Sequence, residues 1–165
     1  MTITMRHVTT LVAAAVGSVA LAGCGGAGVA ASSSGSGALS NAQFVSQVNG
    51  ICSQLNSRVV RLPAIHTTAD LLATGAREMT VSTTALTHLA AVDAPAGRRR
   101  ELARYVAGIR HEATLAGRLL VDVRHGDVTQ LRTLAARETA LSAADDTQAK
   151  AMGLAQCARD VQPGG

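Results

Sequence analysis

Four stretches of the chain carry apolar residues at the three- and four-residue spacing of a helix with one buried face. The first opens at Ser40-Asn41-Ala42-Gln43, which has capping-box spacing. It continues through Phe44, Val45, Val48, Ile51, Cys52, Leu55, Val59 and Leu62 until Pro63 stops it. The second starts at Thr67 or Thr68 and runs to about Val92. Leu72, Gly75 or Ala76, Met79, Thr83, Leu86, Leu89 and Ala90 give it a thin, Thr-rich face. Asp93-Ala94 separates it from the third, which begins at Pro95, a residue suited to a first helical turn. The third runs to His125 on Leu102, Tyr105, Val106, Ile109, Ala113, Ala116, Leu120 and Val123, and Gly126 suits a left-handed stop. Asp127-Val128-Thr129-Gln130 repeats the capping-box spacing and opens the fourth, which carries Val128, Leu131, Leu134, Ala135, Leu141 and Ala144 to about Met152. Glu138 interrupts that last face. A carboxylate there should reach water at the interface edge or meet a cation.

No stretch alternates with a period of two. Four helices joined by short turns predict an all-α domain, an antiparallel four-helix bundle over 40–158, with a disordered tail at 159–165. The Gly-, Ala- and Ser-rich stretch before it reads as a flexible linker over 24–39 that would hold the bundle about 20 Å from its point of attachment.

The remaining apolar run, Val8–Ala20, follows a short segment carrying Arg6 and no acid. At about 13 residues it is too short to span a hydrocarbon core, which needs about 20. It ends in Leu21-Ala22-Gly23-Cys24, which resembles the lipobox of bacterial lipoprotein signal peptides. The resemblance implies a signal peptide over 1–23 and a diacylglycerol on the Cys24 sulfur. It also implies a palmitate-type anchor at the extracytoplasmic face of the cell membrane. Cleavage further on, after Ala31, is the alternative, and it would discard Cys24. Two acyl chains supply the second hydrophobic signal that a single chain lacks, so the anchor would be stable.

With Cys24 assigned to lipid, Cys52 and Cys157 remain. An even pair in an exported domain reads as an intramolecular disulfide; a free thiol, an intermolecular bridge and metal ligation are the alternatives. The bond would close a loop of about 105 residues, nominally worth about 4–5 kcal/mol. It also raises a problem of reach, because Cys52 lies about 18 Å beyond the start of its helix. A bend near Met152–Leu154, at Gly153, would bring Cys157 back to it.

Charge and composition then exclude more than they assign. Of 15 basic residues only Lys150 is lysine, a bias that fits a high-GC genome. A net charge of +4, with no basic run longer than Arg98-Arg99-Arg100, does not describe a nucleic-acid binder. Phe44 and Tyr105 are the only aromatics, too few for a stacking platform. Arg98, Arg99 and Arg100, with Arg104, could meet anionic headgroups, since the turn before them lies at the tether end of an up-down bundle. A solvated surface in an arginine-biased chain is the plainer reading, because Glu101 interrupts the run.

His111-Glu112-Ala113-Thr114-Leu115 begins like a zinc-protease motif, but Leu115 stands where the second histidine is needed, so these read as exposed helix residues. No Glu-x-x-His repeat of a two-metal bundle is present, and Asp122-x-x-His125 reads as charge pairing at a helix end. The chain therefore offers no catalytic residues, metal site or cofactor, and reads as non-enzymatic.

Phe44, Cys52, Pro95, Gly126-Asp127, Gly153 and Cys157, with the ending Ala149-Lys150-Ala151-Met152-Gly153-Leu154-Ala155-Gln156-Cys157, resemble a group of small tethered lipoproteins exported by high-GC Gram-positive bacteria. The resemblance covers Ala42–Cys157 and implies the fold, the disulfide and the location, with no catalytic residue. The function expected is a membrane-anchored binding or interaction module, with an envelope protein as a possible partner. A carrier of a lipid or other apolar ligand, or a structural envelope protein, are the alternatives.

Overall fold

A computed structural model describes residues 39–165. The lipobox, Cys24 and the linker up to residue 38 lie outside the described residues. Within them the chain folds as an antiparallel four-helix bundle: α1 (Asn41–Val59), α2 (Thr68–Ala90), α3 (Arg99–His125) and α4 (Val128–Ala151). No described helix is long and apolar enough to cross a membrane.

The helix starts follow from side chains that satisfy free backbone amides. Ser40 accepts from the Gln43 amide while the Gln43 side chain accepts from the Ser40 amide. Thr67 and Asp70 make the same reciprocal pair at α2. Hydrogen bonding to the ionised carboxylate, by the Thr67 side chain foremost and then by the His66 amide, holds Asp70 below the usual carboxylate range. Leu39, assigned to the linker by composition, instead packs against the core containing Phe44, in the positions of a hydrophobic staple.

Two starts differ from expectation. Pro95 does not begin α3; its carbonyl accepts from the Arg98 and Arg99 amides in a turn, and the helix starts at Arg99. The Arg98 cap makes no side-chain hydrogen bond, and three cations at this end oppose the helix dipole. At α4 the Asp127 carboxylate alone receives both the Thr129 and Gln130 amides.

Phe44, Val48, Cys52, Leu86, Leu89, Leu102, Tyr105 and Val106 form the core with Ala149, Met152 and Leu154. The α2 face is narrower than the pattern implied: Ala76, Thr83 and Ala90 are exposed, while Thr74 is buried and donates to the Pro63 carbonyl. The α4 face is rotated. Leu134 is buried, but Ala135 and Ala144 are exposed, Leu131 and Leu141 are half-buried, and Asp145 and Ala149 occupy the inner face. The side chain of Val128 lies outside the described residues.

The helices pack in sequence, α1 on α2, α2 on α3 and α3 on α4, and α4 does not lie against α1. What closes the bundle is the chain after α4. Gly153 takes φ +76°, the left-handed conformation that glycine adopts without a steric penalty, and turns the chain back as expected. Leu154, with no exposed surface, then enters the core beside α1. In the tail the Gly164 amide donates to the Val60 carbonyl just past the end of α1.

Candidate functional site

Cys52 and Cys157 are joined within the chain, with Cα atoms 5.0 Å apart and a sequence separation of 105. Around this bond α1 presents two asparagines, seven residues apart on one face, to the returning segment. The Asn49 amide donates to the Gly153 carbonyl (3.2 Å), and its oxygen accepts from the Gln156 amide (2.9 Å). Asn56 donates to the Gln156 carbonyl (2.8 Å). Short polar side chains on a helix face carry no periodic signal, so nothing in the pattern pointed to them.

Of Arg98, Arg99, Arg100 and Arg104, the structure pairs the first two with acids. Arg98 pairs with Glu101 (2.8 Å), while Arg99 pairs with Asp93 (3.3 Å) and donates to the Ala94 carbonyl. Arg100 and Arg104 are exposed and make no ion pair among the described residues.

A different charged cluster lies along α2, α3 and α4. Glu78, Glu112, Glu138 and Asp145 all stand above the usual carboxylate range. Burial is the first cause at each. Glu138 adds to it at Glu78, and Asp145 adds to it at Glu112, which is pushed up to about 7 despite a hydrogen bond from Ser142. At Asp145 the neighbouring Asp146 adds to burial and His111 partly offsets it. The same surroundings, burial first and then Asp145, Glu112 and Asp146, raise the Tyr105 hydroxyl.

Asp145 is 8% exposed, and its Oδ2 has no hydrogen-bond partner; neither does the buried Oε1 of Glu112. Gly108 makes the room. A Cβ there would overlap the Asp145 carboxylate, so only glycine lets α4 bring an acid this close to α3. Glu138 is half-buried at the edge of this seam, partly open to water as expected, and its charge adds to the shifts at Glu78 and Glu112. The His111–Leu115 stretch is likewise not simply exposed: Leu115 is buried and Glu112 faces the seam, leaving His111 and Thr114 in solvent. Among the described residues no group of three His, Cys, Asp or Glu side chains is arranged to hold a metal ion. What this seam can do is take up protons.

Two open clefts lie on the other side of the bundle, along the C-terminal half of α1. One, of about 280 Å³, is lined by Ser53, Gln54, Ser57, Arg58 and Arg61. The other, of about 360 Å³, shares Ser53, Ser57 and Arg61 with it and is walled by Gln156, Arg159 and Val161 of the returning segment. The two clefts adjoin along this stretch of α1, and we call them together the trough.

No protein-family model, no curated protein and no solved structure matches this chain.

Proposed function

We propose that this chain is a lipoprotein, held on the extracytoplasmic face of the cell membrane by diacylglycerol on Cys24, and that its helical domain is a non-enzymatic binding or interaction module of the cell envelope. The observation that carries the reading is Leu21-Ala22-Gly23-Cys24, placed directly after an apolar run too short to span a bilayer. A disulfide between Cys52 and Cys157 supports it, because such bonds persist in oxidising compartments outside the cytosol.

Metabolic labelling with a clickable fatty acid tests the anchor. Wild-type chain should take up label and partition with membranes, whereas Cys24→Ala should remain unlabelled and unprocessed. Equal label on both chains would overturn the proposal.

A further inference from the structure

We propose that the trough between the C-terminal half of α1 and the returning segment binds phosphate oxyanions, with Arg58, Arg61 and Arg159 as the groups that hold them. This deepens the binding-module reading and rests on it, but it does not depend on the lipid.

Arg58 lies in the last turn of α1 and lines one cleft, while Arg61, just past the helix end, lines both. Arg159 stands on the opposite wall and donates one N–H to the Gln156 side chain (3.3 Å), which leaves four of its five donors free. None of the three makes an ion pair among the described residues, unlike Arg98 and Arg99. A guanidinium offers two parallel donors that match two oxygens of a phosphate, and phosphate presents oxygens to more than one such fork at once.

The walls are fixed before any ligand arrives. Arg159 is two residues from the Cys52–Cys157 bond, and Asn49 and Asn56 hold the Gln156 backbone from both sides. Beyond Arg159 the Gly164 amide ties the tail to Val60. A site whose walls are already ordered loses little conformational entropy on binding.

Two features work against an anion here. The carbonyl end of α1 carries about half a negative charge, and Asp160 follows Arg159 in sequence. Three full positive charges outweigh both. Because the two clefts share Ser53, Ser57 and Arg61 while Arg58 lines only one and Arg159 only the other, the trough suits several linked phosphate groups better than a single ion. Such groups could come from a soluble phosphate compound or from phospholipid headgroups.

Titration calorimetry on the full chain in neutral detergent, at about 50 mM salt where screening is moderate, tests the site with tripolyphosphate and inorganic phosphate. Saturable binding is expected, tighter for tripolyphosphate. Arg58→Gln with Arg61→Gln should weaken it about tenfold or more, as should Arg159→Gln. Arg132→Gln with Arg137→Gln on α4, which removes the same charge elsewhere, should change it less than about twofold. Circular dichroism melting confirms that each variant is folded.

Calorimetry with glycerophosphoglycerol, the phosphatidylglycerol headgroup without its acyl chains, separates the two sources independently of the anchor. Headgroup binding that tripolyphosphate displaces and the trough variants lose assigns the site to headgroups; tripolyphosphate binding with no headgroup binding assigns it to soluble phosphate. No saturable heat, or equal weakening by the two double variants, would overturn the proposal. A chain that fails the fatty-acid labelling but binds tripolyphosphate through these arginines would refute the anchor and leave the trough standing.

Discussion

Replacing Glu112 by Gln should change how the domain's stability depends on pH. In the folded chain Glu112 titrates at about 7, against 4.5 for a free glutamate, first because it is buried and then because Asp145 lies beside it. Folding therefore favours its protonated form. The sign follows: below about 4.5 the residue is protonated in both states and costs nothing, and as pH rises through 7 folding must accommodate a carboxylate it disfavours. A shift of this size corresponds to at most about 3 kcal/mol, and partial solvent access reduces that to about 1–2 kcal/mol. Glutamine keeps the shape and cannot ionise. Urea unfolding of both chains at pH 5 and pH 8 measures the effect. The stability of Glu112→Gln relative to wild type should rise by about 1–2 kcal/mol between the two pH values. Glu78, Glu138 and Asp145, also raised, tilt both curves the same way and largely cancel in the difference. An unchanged difference at the two pH values would refute the argument that Glu112 is held protonated in the seam.

Other perturbations act on the closure. Cys52→Ser with Cys157→Ser should cost about 2–5 kcal/mol in urea unfolding. Peptide mapping without reductant should recover Cys52 and Cys157 in one linked pair from wild-type chain, and two free thiols would contradict the closure. Asn49→Ala removes both hydrogen bonds that Asn49 makes to the returning segment and should cost about 1–2 kcal/mol, read by the same unfolding. Gly153→Ala must adopt φ +76° or unmake the turn, and should lower stability by about 1–2 kcal/mol; a neutral result would mean that the turn can form another way.

Where apolar residues are large and regularly spaced, the pattern was enough. Phe44, Val48, Cys52 and Val59 lie buried on α1 as read, and Leu102, Tyr105 and Val106 do so on α3. Gly126 and Gly153 end their helices in the left-handed region because no other residue enters it so readily. The failures come where side chains are small or polar. On α4 the alternation of Ala, Thr and Arg leaves no strong stripe, so a face that joined Leu134 to Ala135 and Ala144 looked as good as the real one, which joins Leu134 to Asp145 and Ala149. Asp145 was invisible for a deeper reason. Its place depends on Gly108, 37 positions earlier and on another helix, and no reading of α4 by itself contains that fact. The asparagine clamp and the arginine trough share this property, since each exists only after residues about 100 positions apart have been brought together.

The missing contact between α1 and α4 gives these features a common cause. In a closed four-helix bundle each helix packs on two neighbours, and α4 would need an apolar face toward each. Here its backbone comes close to that of α3 alone, and Ala135, Ala136, Ala143 and Ala144 are exposed along it. Its one seam is weakened in turn by carboxylates. Such a helix contributes little of the burial that would hold it in place, and both of its ends are fixed by other means: the Gly126-Asp127 turn at the start, and at the finish Leu154, two asparagines and a disulfide. The crosslink therefore replaces the packing between first and last helix that this sequence does not provide. Fixing the returning segment to α1 at that point also makes it the second wall of the trough, so one bond completes the fold and shapes the surface to which we assign binding.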